Sequence, residues 1–301
     1  MLYERHGSRH GCDIMDVNIS VNTKKMAVIG DPVAHSMSPF MHNHMIEELG
    51  LDAVYFPFHV KYEETGKFCE AARLLGLSGF NATMPHKQNM LELVDELDPE
   101  AAEYGSVNTI KVRNGKLTGY NTDVRGLMMA FKDYGVDLKD AKIMIIGAGG
   151  VAAALTKGLA KESVQKVTVL NRTLPKALAV CEGLSYATPL EQTHENMTAA
   201  AADADVIVNC TSLGMAETGD DFDDLSFLDE TSALLCDLIY NPWETNFLAY
   251  GRKRGLKTMN GMSMLLYQGI LAFEIFMDVK LNCKDEHDRL LPLCEAEMKK
   301  K

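Results

Sequence analysis

Several features that would place a chain in a membrane or outside the cell are missing from this sequence. Its 301 residues contain no run of eighteen apolar residues, so no transmembrane helix is predicted. The first residues lack the apolar core of a signal peptide, and we expect none. The seven cysteines form no C-x-x-C pair. Their odd number and scattered positions are typical of buried thiols in a reducing cytoplasm, which is where we expect the protein.

Positive charge is scarce as well. The chain has 30 lysines and arginines against 42 aspartates and glutamates, and its net charge of −12 argues against a nucleic-acid partner. This charge also repels anionic small molecules at a distance, so a site for them needs local lysines, arginines and helix N-termini. Internal repeats and low-complexity segments are absent. The remaining composition, 47% hydrophobic and 24% charged, is that of a globular chain long enough for two domains.

Residues 1–23 are polar and show no hydrophobic periodicity, so we expect a flexible extension. They contain His6, His10 and Cys12, but the spacing of these residues matches no zinc-binding pattern. We therefore predict that the protein has no metal cofactor.

From residue 24 onward, apolar runs typical of strands alternate with helical patterns. Strands are predicted at 25–29, 54–60 and 77–82, with helices at 38–49, 64–75 and 86–97. Asn114-Gly115 predicts a hairpin between 107–113 and 116–121. After a helix at 124–134, strands are predicted at 142–146, 166–170, 206–209 and 234–238, and helices at 198–204, 245–254, 262–277 and 289–301. This order predicts an α/β fold with two α/β domains.

The clearest local motif follows the strand at 142–146. Gly147-Ala-Gly-Gly150-Val151-Ala152 fits the G-x-G-x-x-A dinucleotide fingerprint between a strand and a helix. Gly147 permits the tight turn, Gly149 lets a pyrophosphate approach the backbone, and Ala152 keeps helix and sheet close. The cofactor-binding residues expected here are Gly147, Ala148, Gly149, Gly150 and Val151.

The end of the next strand indicates which dinucleotide binds. An NAD site usually has Asp or Glu at the end of its second strand, where the carboxylate binds the 2′-hydroxyl of the ribose. This chain has Asn171-Arg172-Thr173 there. An arginine in place of the carboxylate favours a 2′-phosphate, so the sequence predicts NADP as the cofactor.

Four polar clusters lie upstream, each where a strand gives way to a loop or a helix. They are Ser36-Met-Ser38-Pro39, Asn81-Ala-Thr83-Met-Pro85-His86-Lys87, Ser106-Val-Asn108-Thr109 and Asn121-Thr122-Asp123. Singly, each cluster can be a helix cap, a turn or a solvated surface. Together they suit a pocket for a polyhydroxylated or carboxylated small molecule, because α/β sheets collect ligands at the carboxyl ends of their strands.

One lysine and one aspartate of these clusters suit proton transfer beside a hydride donor. Lys87 lies in the first turn of the predicted helix at 86–97, whose positive dipole end favours loss of its proton. Asp123 can form the opposite charge of the pair. Lys87 and Asp123 are therefore the predicted catalytic residues.

The clusters and the dinucleotide motif resemble the signatures of the shikimate dehydrogenase family. Nine similar stretches occur in the family's order over residues 25–280. Those not yet quoted are Gly30-Asp-Pro-Val-Ala-His35, Asn209-Cys-Thr211-Ser-Leu-Gly214-Met215, Asp237-Leu-Ile-Tyr240-Asn-Pro242, and Asn260-Gly261 with Met264-Leu265 and Gln268. Nine matches in order are far more specific than any one of them.

The family reduces 3-dehydroshikimate to shikimate with NADPH, on the route to aromatic amino acids. The resemblance implies that Ser36 and Ser38 bind the substrate carboxylate and that Lys87, paired with Asp123, exchanges a proton with the substrate. Further implied substrate contacts are Asn81, Thr83, Asn108, Asp123 and Gln268 to the ring hydroxyls, with Tyr240 nearby. The implied cofactor contacts beyond the glycine turn are Asn171, Arg172, Thr173, Lys176, Thr211 and Gly261.

The same resemblance implies a discontinuous first domain. Residues 24–123 would bind the substrate and carry the catalytic residues, completed by the C-terminal helices within 261–301. Residues 124–260 would form a Rossmann-type NADP domain. A homodimer is one expectation for the assembly.

Three places depart from the family's usual pattern. Val124 follows the aspartate where glycine is usual, Met262-Ser263 precede the helix of Gln268, and Val151 replaces alanine. A branched side chain at 124 either shifts the neighbouring carboxylate or packs outward, and we expect Met262 and Ser263 to line the substrate or nicotinamide side. Two alternatives therefore stay open: a dehydrogenase for quinate or for both substrates, and a catalytically silent regulator that binds NADP or a metabolite.

Overall fold

The structure, a computed structural model, describes residues 19–216 and 218–300. Two six-stranded sheets with their helices form the α/β fold that the sequence predicts. In this described part of the chain, no helix is long and apolar enough to cross a membrane. The six described cysteines are free thiols, and four of them are buried.

The first sheet is mixed. Its strands are β1 Lys24–Gly30, β2 Ala53–His59, β3 Gly79–Ala82, β4 Glu96–Leu97, β5 Thr109–Arg113 and β6 Lys116–Tyr120. They lie in the order β2-β1-β3-β5-β6-β4, with β1 parallel to β2 and β3, and β5 antiparallel to β3 and β6. The helices between them are α1 Ser38–Glu48, α2 Thr65–Leu74, α3 Met90–Leu93 and α4 Pro99–Tyr104. Since β1 and β3 are parallel, their carboxyl ends bring the polar clusters that follow them to one edge.

The second sheet is entirely parallel. Its strands are β7 Lys142–Ile146, β8 Lys166–Asn171, β9 Ala187–Glu191, β10 Val206–Asn209, β11 Leu234–Asp237 and β12 Thr258–Met259, in the order β12-β11-β10-β7-β8-β9. This is the doubly wound order of a Rossmann fold, with its switch point between β7 and β10. The helices between them are α6 Gly150–Gly158, α7 Leu174–Cys181, α8 His194–Asp203 and α9 Asn246–Lys253. β7 reads Lys-Ile-Met-Ile-Ile because such strands are covered on both faces.

Three further helices complete the fold: α5 Asp123–Asp133, α10 Met262–Met277 and α11 Cys283–Met298. α10 packs against α5, α1 and α11. Its apolar side chains share one core with β1 and α1, formed among others by Met26, Met41, Met262, Leu266, Ile270 and Phe273. The C-terminal helices therefore pack back on the first sheet, as the resemblance implies. The domain boundaries at 123 and 260 stay a prediction.

The predicted helix at 86–97 is wrong. Residues 84–89 form turns, α3 has only 4 residues, and the segment at 96–97 pairs with β6 as strand β4. Asp95 N donates to Leu117 O over 2.9 Å, so strand pairing overrides the local helical pattern. Lys87 consequently lies in a turn and not in the first turn of a helix. The dipole argument for its proton therefore does not apply.

The sequence pattern also misses α4, α7, β9 and β12 and places two helix starts too late. α8 begins at His194 instead of 198, and its cap is Thr193, whose side chain accepts a hydrogen bond from Asn196 N. α11 begins at Cys283 instead of 289, and its cap Asn282 accepts from Lys284 N. Both caps are polar residues of the kind that start helices, so this signal was present in the sequence.

Val124 packs outward, against the helices α4 and α6. It is 4% exposed and lies in a small cluster with Tyr104 and Ala154. A Cβ atom built on Gly158 would lie 2.3 Å from Val124 Cγ1, so the glycine makes room for the branched side chain. Val124 therefore occupies a notch in α6 and leaves the side chain of Asp123 in the cleft.

Met262 and Ser263 do not line the substrate or nicotinamide side, which corrects that expectation. Met262 is fully buried in the core that α10 shares with α1. Ser263 is 1% exposed, and its Oγ lies 3.0 Å from Nε2 of His287 on α11. Both residues therefore hold α10 in place and do not face a ligand.

Only the end of the predicted N-terminal extension lies within the described residues. Thr23 is 3% exposed, and its hydroxyl donates to Asp52 Oδ1 over 2.6 Å. The residue next to β1 is thus held on the first sheet. His6, His10 and Cys12 lie outside the described residues.

Candidate active site

Lys87 and Asp123 form an ion pair in which Nζ lies 2.7 Å from Oδ2. Lys87 is held in the turn after β3, and Asp123 is the first residue of α5. The lysine side chain is 23% exposed and the aspartate side chain 8%, so a ligand can reach the pair from the lysine side. A lysine held in this way can give a proton to a ligand as an ammonium, and can take one from it as a neutral amine.

The second oxygen of Asp123 is held by Asn108, at the start of β5. Asn108 Nδ2 donates to Asp123 Oδ1 over 2.8 Å and to Thr122 Oγ1 over 2.9 Å. Asn108 Oδ1 accepts from the backbone N–H of Thr122 over 2.8 Å. All three residues are buried, so these bonds fix the carboxylate that faces Lys87.

Gln268 of α10 completes this network from the far end of the chain. Its Oε1 accepts from Asn108 Nδ2 over 3.2 Å, and its own Nε2 donates to Leu265 O over 2.8 Å. The close approach of α10 to α5 depends on Gly126, because a Cβ there would lie 2.7 Å from Gln268 N. The helix that follows the second sheet therefore supplies a wall of the pocket.

Asn81, predicted to contact a ligand, has both ends of its amide bonded within the protein. Its Oδ1 accepts from Tyr55 OH over 2.7 Å, and its Nδ2 donates to Asn108 O over 3.1 Å and Thr109 Oγ1 over 3.0 Å. Tyr55 was not anticipated from the sequence, although it is a strand tyrosine whose hydroxyl needs a buried partner. Burial raises the pKa of Tyr55 well above its usual value, which keeps this hydroxyl a donor.

Ser36, Ser38 and Thr83 lie at the same edge of the first sheet. Ser38 begins α1, and its backbone N–H donates to Ser36 Oγ over 3.3 Å. Thr83 lies over Gly30, where a Cβ would come within 2.6 Å of its Cγ2. The three hydroxyls therefore stand beside the loop that joins β1 to α1. No bond joins them directly to the Lys87–Asp123 pair among the described residues.

The glycine turn has the conformation that the motif predicts. Gly147 has a φ of +104°, and its N–H donates to Leu170 O over 2.7 Å. A Cβ on Gly149 would meet no atom within 4 Å, so the space in front of the turn is open. α6 starts at Gly150, and Ala152 is fully buried against the sheet. Free N–H groups at the start of this helix suit a phosphate.

The segment after β8 carries two cations without ionic partners. Asn171 Nδ2 donates to Thr173 O over 3.0 Å, which shapes the turn before α7. Arg172 and Lys176 are exposed, and neither forms an ion pair with another described residue. Two unpaired cations at this place suit the 2′-phosphate of NADP.

The loops after β10 and β11 are joined by hydrogen bonds among three buried residues whose role was not anticipated. Asn209 Nδ2 donates to Asp237 Oδ1 over 3.0 Å, and Thr245 Oγ1 donates to Asp237 Oδ2 over 2.6 Å. Burial raises the pKa of Asp237 to about 6, against the effect of these donors. Asn209 Oδ1 also accepts from Thr211 Oγ1 over 2.6 Å.

Three residues that the sequence predicts to bind the cofactor or the substrate lie around these loops. Thr211 lies against Gly147, where a Cβ would come within 2.9 Å of its Cγ2. Gly261, between β12 and α10, packs against the loop after β11, since a Cβ there would be 2.1 Å from Leu238 O. Tyr240, in the loop after β11, is half-buried and packs against the core of α10 and α1.

A Rossmann half with an open glycine turn, next to a Lys–Asp pair on a separate sheet, defines a dinucleotide-dependent oxidoreductase with its own substrate domain. The family comparison agrees. The model of the shikimate dehydrogenase substrate binding domain matches residues 28–110, and that of shikimate / quinate 5-dehydrogenase matches residues 129–220. The chain belongs to the shikimate dehydrogenase family.

Individual relatives match over nearly their whole length. The shikimate dehydrogenase (NADP(+)) of Alkaliphilus oremlandii is 37% identical over 278 residues, which are 89% of this chain and 96% of that protein. The enzyme of the same name from Methanococcus aeolicus is 39% identical over 270 residues, 87% of this chain and 95% of that protein.

Solved structures agree as well. That of shikimate 5-dehydrogenase from Thermus thermophilus in complex with NADP(H) and shikimate has a TM-score of 0.78 and 33% identity, covering 88% of this chain and 97% of that one. The family, the fold class and the enzyme class that the sequence predicts are thus confirmed.

Proposed function

We propose that this chain catalyses the reversible, NADP-dependent reduction of 3-dehydroshikimate to shikimate, on the route to aromatic amino acids. The observation that carries this assignment is the 2.7 Å pair of Lys87 and Asp123 inside a buried polar network. Gln88, the next residue, lies beside Gly150 of the dinucleotide turn, so this loop stands at the junction of both ligand sites. A silent regulator would not need the pair.

Lys87 is the acid and base of the reaction. When bound, NADPH supplies a hydride to the carbonyl carbon of the substrate. As an ammonium, Lys87 would give a proton to the carbonyl oxygen as that carbon is reduced; in the oxidative direction its neutral amine would take the proton of the substrate hydroxyl. Asp123, oriented by Asn108, holds the amino group of Lys87 in place. Its carboxylate balances the positive charge of Lys87 while the lysine is protonated.

The first sheet and the C-terminal helices bind the substrate. Ser36 and Ser38 hold its carboxylate through their hydroxyls, and Thr83 faces the ring from the same edge. The amides of Asn108 and Gln268 and the carboxylate of Asp123 take its ring hydroxyls. Asn81 contributes through the hydrogen bonds that hold Asn108, and Tyr240 closes the side towards the second sheet.

The second sheet binds the cofactor. The open space before Gly149 admits the pyrophosphate to the N–H groups of the glycine turn, from Gly147 to Val151. The 2′-phosphate meets Arg172 and Lys176, with Asn171 and Thr173 shaping their turn. Thr211 and Gly261 border the nicotinamide end.

We expect the purified protein to reduce NADP when shikimate is added, and to do so more slowly with quinate or with NAD. Arg172 favours the cofactor with the 2′-phosphate, and the matched relatives are shikimate dehydrogenases. The measurement is the near-ultraviolet absorbance of the reduced nicotinamide for each of the four substrate and cofactor pairs. No absorbance change with shikimate and either cofactor would contradict the assignment.

The variant Arg172→Ala tests the cofactor preference in the same assay. It should reduce the preference for NADP over NAD by about tenfold or more, since it removes one of two cations. The matched control is Arg254→Ala, which removes an arginine that already pairs with Asp229 after α9. An unchanged preference in Arg172→Ala would show that the 2′-phosphate lies elsewhere.

The protein acts in the cytoplasm as a homodimer. The six cysteines within residues 19–216 and 218–300 are free and mostly buried, which supports a reducing compartment. Strand β2 at the edge of the first sheet carries Phe56 and Phe58, 37% and 39% exposed, which a second copy would cover. Light scattering of the eluted protein should give the mass of two chains, and the mass of one chain would rule the dimer out.

A further inference from the structure

We propose that Gln88 crosses the cleft and binds the pyrophosphate of the cofactor, although it belongs to the catalytic loop of the first sheet. Gln88 Nε2 lies 3.5 Å from the place where a Cβ on Gly150 would be. Gly150 is the first residue of α6, the helix that opens at the dinucleotide turn. The inference rests on the cofactor site described above and adds a residue from the other side of the cleft to it.

The backbone around Gln88 is held firmly. Lys87 O accepts from Val107 N over 3.0 Å, and Gln88 O accepts from Leu91 N over 3.1 Å. His86 and Met90, which flank the pair, are fully buried. From this fixed backbone the side chain of Lys87 reaches Asp123 and that of Gln88 reaches the glycine turn.

The Gln88 amide is free to donate. Its side chain is exposed and forms no hydrogen bond with any described residue. A carboxamide offers two N–H donors and no charge, so it can bind a phosphate oxygen without repelling it. A carboxylate at this place would repel the pyrophosphate, in a chain whose net charge of −12 is already unfavourable for anions.

The first N–H groups of α6, which Gln88 faces, have no side-chain acceptor at the helix cap. The cap of α6 is Gly149, which has no side chain to accept from the first N–H groups of the helix. Those groups and the Gln88 amide therefore converge on the same open space. Because Gln88 and Lys87 are adjacent, a pyrophosphate bound there also fixes the loop that carries the catalytic lysine.

The test is the affinity of the free enzyme for two ligands, measured by fluorescence titration without substrate. NADPH contains the pyrophosphate, whereas adenosine 2′-monophosphate occupies only the Arg172 end. Gln88→Glu should weaken NADPH binding about tenfold or more, Gln88→Ala about threefold, and neither should change the affinity for adenosine 2′-monophosphate by more than about twofold. Gln165→Glu, an identical charge change at an exposed position before β8, is the matched control and should bind both ligands normally.

Each outcome decides the matter. NADPH binding by Gln88→Glu equal to that of Gln165→Glu would overturn the inference, and so would an equal loss of affinity for both ligands. If the glutamate variant does not fold, the threefold loss in Gln88→Ala is the deciding value. Wild-type protein that binds neither ligand would overturn the cofactor assignment itself, which separates that failure from a failure of this inference.

Discussion

Replacing Lys87 by Ala should lower kcat for shikimate oxidation by about 10²- to 10⁴-fold, the usual contribution of a positioned general acid or base. The lysine is the only cation that the structure brings to Asp123 within 4.0 Å among the described residues. Without it, the oxygen of the reacting group has no proton donor or acceptor in place. Binding of shikimate and NADPH should persist, because the serines, the amides and the glycine turn are untouched. The measurements are steady-state rates and separate binding titrations.

A matched variant distinguishes this effect from a general loss of a lysine. Lys67→Ala removes an exposed lysine of α2 whose side chain is 78% accessible, and it should keep full turnover. Turnover within about tenfold of wild type in Lys87→Ala would remove the lysine from the chemistry. Loss of ligand binding together with turnover would instead make it a structural residue of the pocket.

His42→Phe should make the fold much less sensitive to acid. Between pH 8 and pH 5, we expect the wild type to lose about 2 kcal/mol more in its free energy of unfolding than the variant. His42 is fully buried on α1, stacked on Tyr55 at 4.1 Å, and neither ring nitrogen has a hydrogen-bond partner. Phenylalanine retains the stacked ring and removes both unpaired nitrogens.

The sign of this effect follows from the proton balance. Burial lowers the pKa of His42 to about 3 from its usual 6.5. As the pH falls below 6.5, the unfolded chain therefore binds a proton that the folded protein does not, and stability is lost until the pH approaches 3. Above 6.5 the imidazole is neutral in both states, and this contribution to stability is complete.

Urea unfolding at several pH values measures the difference. The surface variant His194→Phe makes the same chemical change at a side chain that is 58% exposed, and serves for comparison. Parallel pH profiles for wild type and His42→Phe would contradict the prediction. The variant should also be more stable at pH 8, because unpaired buried polar atoms cost about 1–3 kcal/mol.

The dinucleotide half of this protein was the most predictable part. The strand at 142–146, the turn at Gly147 and the helix that begins at Gly150 lie within a few residues of one another. Backbone conformation and hydrogen bonding over such a distance depend on neighbours in the sequence. The same holds for the hairpin at Asn114-Gly115 and for Arg172 at the end of β8.

The structure of segment 86–97 could not be predicted from its local sequence pattern. Its apolar spacing resembles a helix, yet its end pairs with β6, a partner about twenty residues further along the chain. No local sequence pattern predicts the pairing of β4 with β6. The consequence is functional, because the turn that replaces the helix aims Lys87 at Asp123 and Gln88 at Gly150.

The sequence by itself determined the class of fold, the family and the cofactor, and it predicted which residues form the pocket. Only the tertiary structure decided how these residues meet. Asn108 and Gln268 are 160 positions apart and are joined because Gly126 lets α10 approach α5. Val124 of α5 fits because Gly158 leaves a notch in α6. Hydrogen bonds and packing act over a few ångströms in space, and residues distant in sequence satisfy that condition only once the chain has folded.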